Sequence, residues 1–444
     1  MQPHPYVHRV VDLTDPAKNL FFGITAEEAQ KAVADGNVEA VSQIQGQFAL
    51  LGTSGKLVRM ARSIGRPLRY FVAKRAEGPC LIAAERIDTI YRFLQSEGLA
   101  DQFHPSYTRM VPAHYITEVA LVGCPDPSPN YQRFFTPTRA SLPAEHAVIG
   151  ETYMRAVQQA IENWLTTRAT CGPIGVAFSG GIDSTSVLLL VYDLLVKKGL
   201  GPARLKAFTL AVDGGGEDLA QARSVLQSLG LDYLLEPVEV ASTDISWKEA
   251  VQVMEDYKPL DVQAATMNLA LCRGIRKRYP EWKHMLDGDG GDENLKDYPI
   301  EENPELTIGS ILNNLMLYQE GWGVHAIKHS LTYSGGLSRG YLRTYATAAA
   351  AGLEGFSPYT LPQVIAVAEG IPFIELTQWD HDRLYQLKGQ IVSAGIQAVT
   401  GFTMPVFPKR RFQHGAGPKG AEQSLFPSES HRYRRHFLAP YEQA

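Results

Sequence analysis

The stretch from Ser179 to Ser184 (SGGIDS) combines residue types that bind a phosphate together with a divalent cation. Gly180 and Gly181 allow an anion to approach the main chain closely, and a helix starting there would add its N–H groups and positive end. Ser179 and Ser184 supply hydroxyl donors, and Asp183 supplies a carboxylate for the cation. The stretch therefore predicts a phosphate-binding turn. The alternative is a structural turn whose serines only cap the helix.

A second glycine-rich and acidic turn, DGDGGDE, occupies positions 287–293. Mg²⁺ bound to a nucleotide prefers carboxylate oxygens together with phosphate oxygens, and Asp183 and Asp292 are the predicted protein ligands. The spacing of an EF-hand calcium loop is not met. If this turn is considered alone, the alternative interpretation is a solvated loop that binds no ligand.

The sequence around these turns predicts alternating strands and helices, which would position them. Ile174, Val176 and Phe178 predict a buried strand before the first turn, and the apolar positions from Val187 to Leu195 predict a helix after it. This alternation is typical of a doubly wound parallel sheet, which binds ligands at the carboxyl ends of its strands. Further strands are predicted at 205–212, 233–240 and 283–287, with helices near 218–229, 247–256 and 264–278 and mostly helical patterns from about 305.

The N-terminal part has a different pattern, in which short apolar runs alternate with Gly and Pro. Such spacing favours an antiparallel sheet or sandwich with a few helices. Proline-rich segments at 124–129 and 136–143 precede a predicted helix at 144–168, so we place one domain at 1–143 and a second at 144–444. The predicted strands of the first domain are 47–51, 57–61, 68–73, 80–84 and 115–122.

Composition narrows the functional classes. The net charge of -5 argues against general nucleic-acid binding. No apolar stretch reaches the length of a membrane helix, and the first residues lack the pattern of a signal peptide, so we expect a cytoplasmic protein. The four cysteines are scattered without a CxxC pair, which indicates neither a disulfide framework nor a zinc site. The oligomeric state is left open, a homo-oligomer included.

The first turn resembles the SGG-x-DS pyrophosphate loop of the ATP pyrophosphatase superfamily and lacks the Lys-Ser/Thr ending of a Walker A loop. Taken together, five segments resemble the asparagine synthetase superfamily, which also contains the β-lactam and carbapenam synthetases. Upstream, GQFALL (46–51), ARSIGRPLRYF (61–71), CLIAAE (80–85) and MVPAHY (110–115) resemble its N-terminal glutaminase-type domain. The five segments are SGGIDS (179–184), LKAFTLAV (205–212), DGDGGDE (287–293), LEGFSPY (353–359) and PKRRFQHGAG (408–417).

This resemblance implies an α/β protein, in which an Ntn-type αββα sandwich precedes a doubly wound ATP-pyrophosphatase synthetase domain with added helices. It also implies an enzyme that uses ATP and Mg²⁺ to adenylate a small-molecule carboxylate, releases pyrophosphate and joins the acyl group to an amine. The residues it assigns to the nucleotide are Val176, Phe178, Ser179, Gly180, Gly181, Asp183, Ser184, Thr209, Leu210 and Gly288.

The resemblance assigns three further residues to catalysis. Asp289 matches a catalytic Tyr of β-lactam synthetases and a Glu of asparagine synthetases, and Glu354 matches the acid that partners that Tyr. Lys409 matches a lysine that stabilises charge on the α-phosphate and the developing oxyanion. The alternative for Lys409 is a surface lysine in the basic stretch 409–435.

One departure from the family pattern bears on the source of the amine. Glutamine-using members have a nucleophilic Cys after the initiator Met, and this sequence has Gln2 there. We therefore expect no glutamine hydrolysis by that route and an amine on the substrate itself, as in the β-lactam synthetases. The alternatives are an asparagine synthetase-like ligase that uses ammonia, a tRNA-modifying ATP pyrophosphatase and a non-catalytic binding protein.

Overall fold

The computed structural model describes residues 9–122, 128–298, 300–301, 307–313, 341–407, 415–417 and 425–442. These residues form two compact units. The first holds the described residues up to Thr136 together with those from Arg435 onwards, and the second holds those from Pro137 to Arg434. The units divide inside the second proline-rich segment, 136–143.

In the described part of the first unit, two four-stranded sheets pack face to face. One has the order β1-β7-β6-β8 and the other β10-β9-β5-β4, with every pair antiparallel except β1 and β7. A separate antiparallel pair is formed by β2 and β3. The strands are β1 Arg9–Asp12, β2 Leu20–Phe22, β3 Gln45–Gln47, β4 Ala49–Ser54, β5 Leu57–Arg62, β6 Arg69–Ala73, β7 Cys80–Ala84, β8 Arg109–Met110, β9 Tyr115–Ala120 and β10 Asn130–Arg133.

Helices cover the outer faces of these two sheets. Helices α1 (Ala26–Asp35) and α2 (Val38–Ser42) lie on the β4–β5 side, and α3 (Ile87–Ser96) lies on β6 and β7. The layers therefore follow the order α, β, β, α. Val58, Met60 and Leu81 are among the buried side chains between the sheets. The predicted αββα sandwich is confirmed.

The second unit contains a five-stranded, all-parallel sheet within its described residues, in the order β13-β12-β11-β14-β15. Strands β12 and β14 lie on either side of β11, so the chain reverses its direction of winding beside β11. Such a switch point opens a crevice at the carboxyl ends of the strands. The strands are β11 Ile174–Ala177, β12 Leu205–Val212, β13 Leu235–Val240, β14 His284–Leu286 and β15 Glu354–Phe356.

Long helices shield this sheet. Val187, Leu190 and Leu194 of α5 are buried, as their helical spacing predicts. The helices of this part of the chain are α4 His146–Thr167, α5 Ile182–Lys197, α6 Glu217–Ser228, α7 Trp247–Met254, α8 Pro259–Arg278, α9 Gly291–Leu295, α10 Ile308–Asn313, α11 Ala346–Ala350, α12 Pro362–Glu369, α13 Phe373–Thr377, α14 His381–Thr400 and α15 Ser430–Leu438.

The predicted α/β class and parallel sheet are confirmed, with one correction. The region after 305 was expected to be mostly helical, and besides its helices it contributes β15, the edge strand beside β14. Three residues are too few for a hydrophobic period to reveal a strand. No helix among the described residues is long and apolar enough to cross a membrane.

Candidate active site

The first turn connects β11 to α5 at the switch point. Gly180 has a φ of +74°, and a Cβ there would lie 3.0 Å from the backbone nitrogen of Ala222, so this position favours glycine. Ser184 Oγ donates to the carbonyl of Gly181 (3.2 Å), and the N–H of Ser179 donates to Ser184 Oγ (3.4 Å). The turn thus opens a helix of 16 residues, whose N-terminal N–H groups favour an anion.

Strand β12 holds this turn from the side. Thr209 Oγ1 donates to the carbonyl of Phe178 (2.7 Å), and the N–H of Phe178 donates to the carbonyl of Phe208 (2.8 Å). The side chains of Val176, Phe178 and Leu210 are buried in the core. The structure therefore brings the sequence-predicted nucleotide residues of β11 and β12 together beside the turn.

The acidic turn after β14 packs directly against the start of α5. A Cβ on Gly288 would lie 2.7 Å from Asp183 Cβ and 2.8 Å from the nitrogen of Ser184. A Cβ on Gly291 would collide with Asp183 Oδ1. The two turns, which are about 100 positions apart in the sequence, therefore meet through glycines at the carboxyl edge of the sheet.

Asp183 and Asp292 converge on the ammonium of Lys388, a residue of α14 that the sequence analysis missed. Lys388 Nζ donates to Asp183 Oδ2 (2.5 Å) and to Asp292 Oδ1, and Asp297 Oδ2 lies 3.6 Å away. The side chain of Lys388 is 3 % exposed. Burial lowers the pKa of Lys388, but the nearby carboxylates outweigh burial and raise this pKa well above its usual value.

This arrangement fits a nucleotide-bound magnesium ion. The donors are carboxylate oxygens that already converge on one cationic group, and Mg²⁺ in such sites takes one or two carboxylates plus phosphate oxygens. Among the described residues, no group of three or more His, Cys, Asp or Glu side chains could hold a metal. Asp183 and Asp292 would therefore hold the ion only together with oxygens from the nucleotide.

Asp289 is partly buried in an acidic environment, and its Oδ2 atom is buried. Its Oδ2 atom has no hydrogen-bond partner among the described residues, and its N–H donates to Asp287 Oδ1 (3.0 Å). Burial, followed by the charge of Asp287, raises the pKa of Asp289 well above its usual value, and the charge of Arg343 opposes this rise. Burial also raises the pKa of Asp287 to about 6. Arg343 itself is paired with Asp261 on α8 at 3.2 Å.

Glu354 is not placed with Asp289. It is the first residue of β15, in register with His284 at the start of β14. Its carboxylate pairs with Lys283 Nζ (3.1 Å) and His284 Nδ1 (3.5 Å). Because both strands run parallel, this pair lies at the amino end of the sheet, away from the acidic turn. The structure therefore does not bring Glu354 together with Asp289.

Later residues of the same LEGFSPY segment do reach the two turns. Ser357 Oγ donates to Asp287 Oδ1 (2.6 Å), and the hydroxyl of Tyr359 is hydrogen-bonded to Ser186 Oγ at 2.5 Å. Asn294 Nδ2 donates to the carbonyl of Tyr359 (2.9 Å). The segment thus connects the acidic turn to α5.

Lys409 lies outside the described residues, but the chain just after it is anchored at the site edge. The N–H of Val212, at the carboxyl end of β12, donates to the carbonyl of Ala416 (2.9 Å). A Cβ on Gly415 would collide with Asp218 Oδ1 of α6. Lys409 is six positions from Gly415, which extended chain spans in about 20 Å.

Sequence reasoning missed Lys388, although a signal was present. Leu384, Lys388 and Ile391 recur at helical spacing, so Lys388 lies on the apolar face of α14, where Leu384 and Ile391 are fully buried. A lysine on such a face needs a buried anionic partner. The sequence carries no comparable signal for Arg343 or Tyr359.

Comparison with known proteins agrees with this geometry. Residues 154–354 match the asparagine synthase family. The chain is also similar to amidase chyE of Penicillium rubens, with 26 % identity over 284 residues. That alignment covers 58 % of this chain and 40 % of the relative, so the match spans about two fifths of the relative's length. The match to the asparagine synthase family thus covers residues 154–354, a segment that includes both glycine-rich turns.

Proposed function

We propose that this protein is an AMP- and pyrophosphate-forming amide synthetase that adenylates a substrate carboxylate and joins it to an amine of the same substrate. The observation that carries the proposal is the meeting of the two turns at the switch point. There, Asp183 and Asp292 converge on one cationic group beside the N-terminus of α5.

The phosphate turn suits a departing pyrophosphate. Ser179 and Ser184 are already held in the turn by hydrogen bonds, and the N-terminus of α5 favours negative charge that develops as the bond to the α-phosphate breaks. Bound Mg²⁺ would supply charge neutralisation for the phosphate oxygens. Lys409 is proposed to act on the α-phosphate because the family resemblance matches it to a lysine with that role.

Asp289 is the proposed base for the attacking amine. A base is most effective when its pKa lies near the working pH, which requires a carboxyl pKa well above 4. Burial and Asp287 raise the pKa of Asp289, while Arg343 favours the ionised form that accepts a proton. The buried Oδ2 atom, which lacks a hydrogen-bond partner among the described residues, is the proposed acceptor.

The first unit supports an amine source other than glutamine. Cys80 is the one cysteine among its described residues, and it is fully buried in β7. Burial raises the pKa of its thiol, against a weaker opposing effect of Arg9 and Arg75. A buried, protonated thiol is a poor nucleophile. This argues against Cys80 as a nucleophile that attacks glutamine.

An ammonia-dependent synthetase is the second candidate. The observation in its favour is a carboxylate at position 289, because the resemblance matches that position to a Glu in asparagine synthetases and to a Tyr in β-lactam synthetases. The two candidates differ in their products, since one closes a ring and the other adds a nitrogen.

Product analysis separates these candidates. The protein is incubated with MgATP and a panel of amino and diamino carboxylic acids, with and without ammonium or glutamine. The masses of the products are then measured by mass spectrometry. Pyrophosphate release with loss of one water from the substrate, without ammonium, is the expected result. Release that requires ammonium would overturn the intramolecular reaction. Amide hydrolysis without ATP would instead agree with the name of the Penicillium relative.

A further inference from the structure

Lys388 occupies the position on which the two proposed metal ligands converge. Its ammonium lies 2.5 Å from Asp183 Oδ2, contacts Asp292 Oδ1 and has Asp297 Oδ2 at 3.6 Å. Asp183 belongs to the first turn of α5 and Asp292 to the acidic turn. One buried cation therefore connects both turns to α14.

The stem of this lysine is fixed by its surroundings. Leu384, Leu387 and Ile391 of α14 are almost fully buried on the same side of the helix, and Lys388 is 3 % exposed. An ammonium buried in this way stays with its carboxylates, because moving away from them would leave a buried charge without compensation. Its position is thus set by packing as well as by charge.

A divalent ion would need the same carboxylate oxygens. Mg²⁺ bonds oxygen at 2.0–2.1 Å and gives up its water reluctantly. Placing it between Asp183 and Asp292 while the ammonium stays there would bring two cations into repulsive contact. A triphosphate changes this balance, because its oxygens complete the coordination of the metal and offer the ammonium new anionic partners.

We propose that Lys388 makes metal binding conditional on nucleotide: it holds Asp183 and Asp292 together in the nucleotide-free protein and excludes a divalent cation until a triphosphate arrives. Lys388 is in this respect a positioning residue. The inference rests on the proposed MgATP site, and it predicts that metal and nucleotide enter together.

The test measures binding of Mn²⁺ alone to the nucleotide-free full chain by electron paramagnetic resonance. We expect weak binding by the wild type and binding at least about tenfold tighter by Lys388→Met. Lys197→Met is the matched control, because Lys197 lies on α5 with a side chain that is 55 % exposed and pairs with Asp193, not with a proposed metal ligand, and it should behave as the wild type. Adding Asp292→Asn to Lys388→Met should remove the gained binding.

Equal Mn²⁺ affinity of the wild type and Lys388→Met would overturn the inference. If Lys388→Met does not fold, the wild type decides alone. In that case, Mn²⁺ must be held by the protein with α,β-methylene-ATP and not without it, and tight binding without nucleotide contradicts the inference. Failure of the proposed function has a different signature, since the wild type would then release no pyrophosphate from MgATP with any carboxylate, whatever its Mn²⁺ binding.

Discussion

The two ends of β14 and β15 both carry paired charges, but the pairs differ in burial. At the carboxyl end, Lys388 is 3 % exposed and contacts Asp183 and Asp292, which are 20 % and 34 % exposed. At the amino end, Lys283 and Glu354 are 60 % and 42 % exposed. Buried charges require compensation by partners or ligands, whereas exposed pairs contribute little. Burial, more than residue type, therefore distinguishes the candidate active site from an ordinary surface ion pair.

The largest difference between the two ends should appear in catalysis. Asp183→Asn removes a proposed metal ligand at the carboxyl end, and we expect pyrophosphate release to fall at least about a hundredfold. Glu354→Gln changes a carboxylate at the amino end and should leave the rate within about twofold. Steady-state pyrophosphate assays at saturating MgATP make the comparison. Equal losses in both variants would show that the two ends do not differ in function.

The next largest difference between the two ends of the sheet should appear in the free energy of unfolding. Lys388→Met leaves carboxylates at the carboxyl end without their cation, and we expect a loss of about 3 kcal/mol in the free energy of unfolding, the lower end for breaking a buried pair. Lys283→Met should cost less than about 1 kcal/mol. Urea unfolding of the nucleotide-free proteins measures both. The distinction fails if Lys283→Met is the more damaging change.

The pH dependence tests the environment of Asp289. Arg343 lowers the pKa of Asp289, so Arg343→Met should raise that pKa further. A base is inactive once it is protonated. When its pKa is higher, this protonation, and the loss of activity, begins at a higher pH. The acidic limb of the rate profile should therefore move to higher pH. A shift to lower pH would be inconsistent with Asp289 as the base, and Arg383→Met, at an exposed position on α14, serves as the control.

The smallest effect is expected where a neutral hydrogen bond connects the turns. Tyr359→Phe removes the bond to Ser186 and should cost about 1 kcal/mol in the free energy of unfolding. Tyr107→Phe, at an exposed tyrosine of the first unit, is the matched control and should be neutral. Thermal unfolding of both variants would reveal whether the bond to Ser186 stabilises the protein.

The sequence predicts two kinds of feature in this molecule: elements with a long hydrophobic pattern, and turns rich in glycine and acidic residues. Strand β12 was predicted with the same bounds as observed, Leu205–Val212, because eight consecutive residues carry its pattern. The two glycine-rich turns were predicted to share one edge, since parallel strands end together. Short elements such as β15 were not predicted, because three residues are too few to define a hydrophobic period.

Side-chain partnerships were the least predictable feature. Glu354 and Ser357 are three positions apart, yet only Ser357 reaches the acidic turn, because β15 separates them along its length. Lys388 is about 200 positions from Asp183, and nothing local indicates which carboxylate it meets. Such contacts depend on how α14 packs on α5, and no local sequence pattern reveals that packing.

The most direct test of the central claim is exchange of radiolabelled pyrophosphate into ATP. Exchange requires a carboxylate to be adenylated reversibly at the carboxyl edge of the sheet. The account predicts exchange that depends on the substrate carboxylate and Mg²⁺, is lost in Asp183→Asn and persists in Glu354→Gln. With a carboxylate that the wild type converts to product, absent exchange or undiminished exchange in Asp183→Asn would contradict the account.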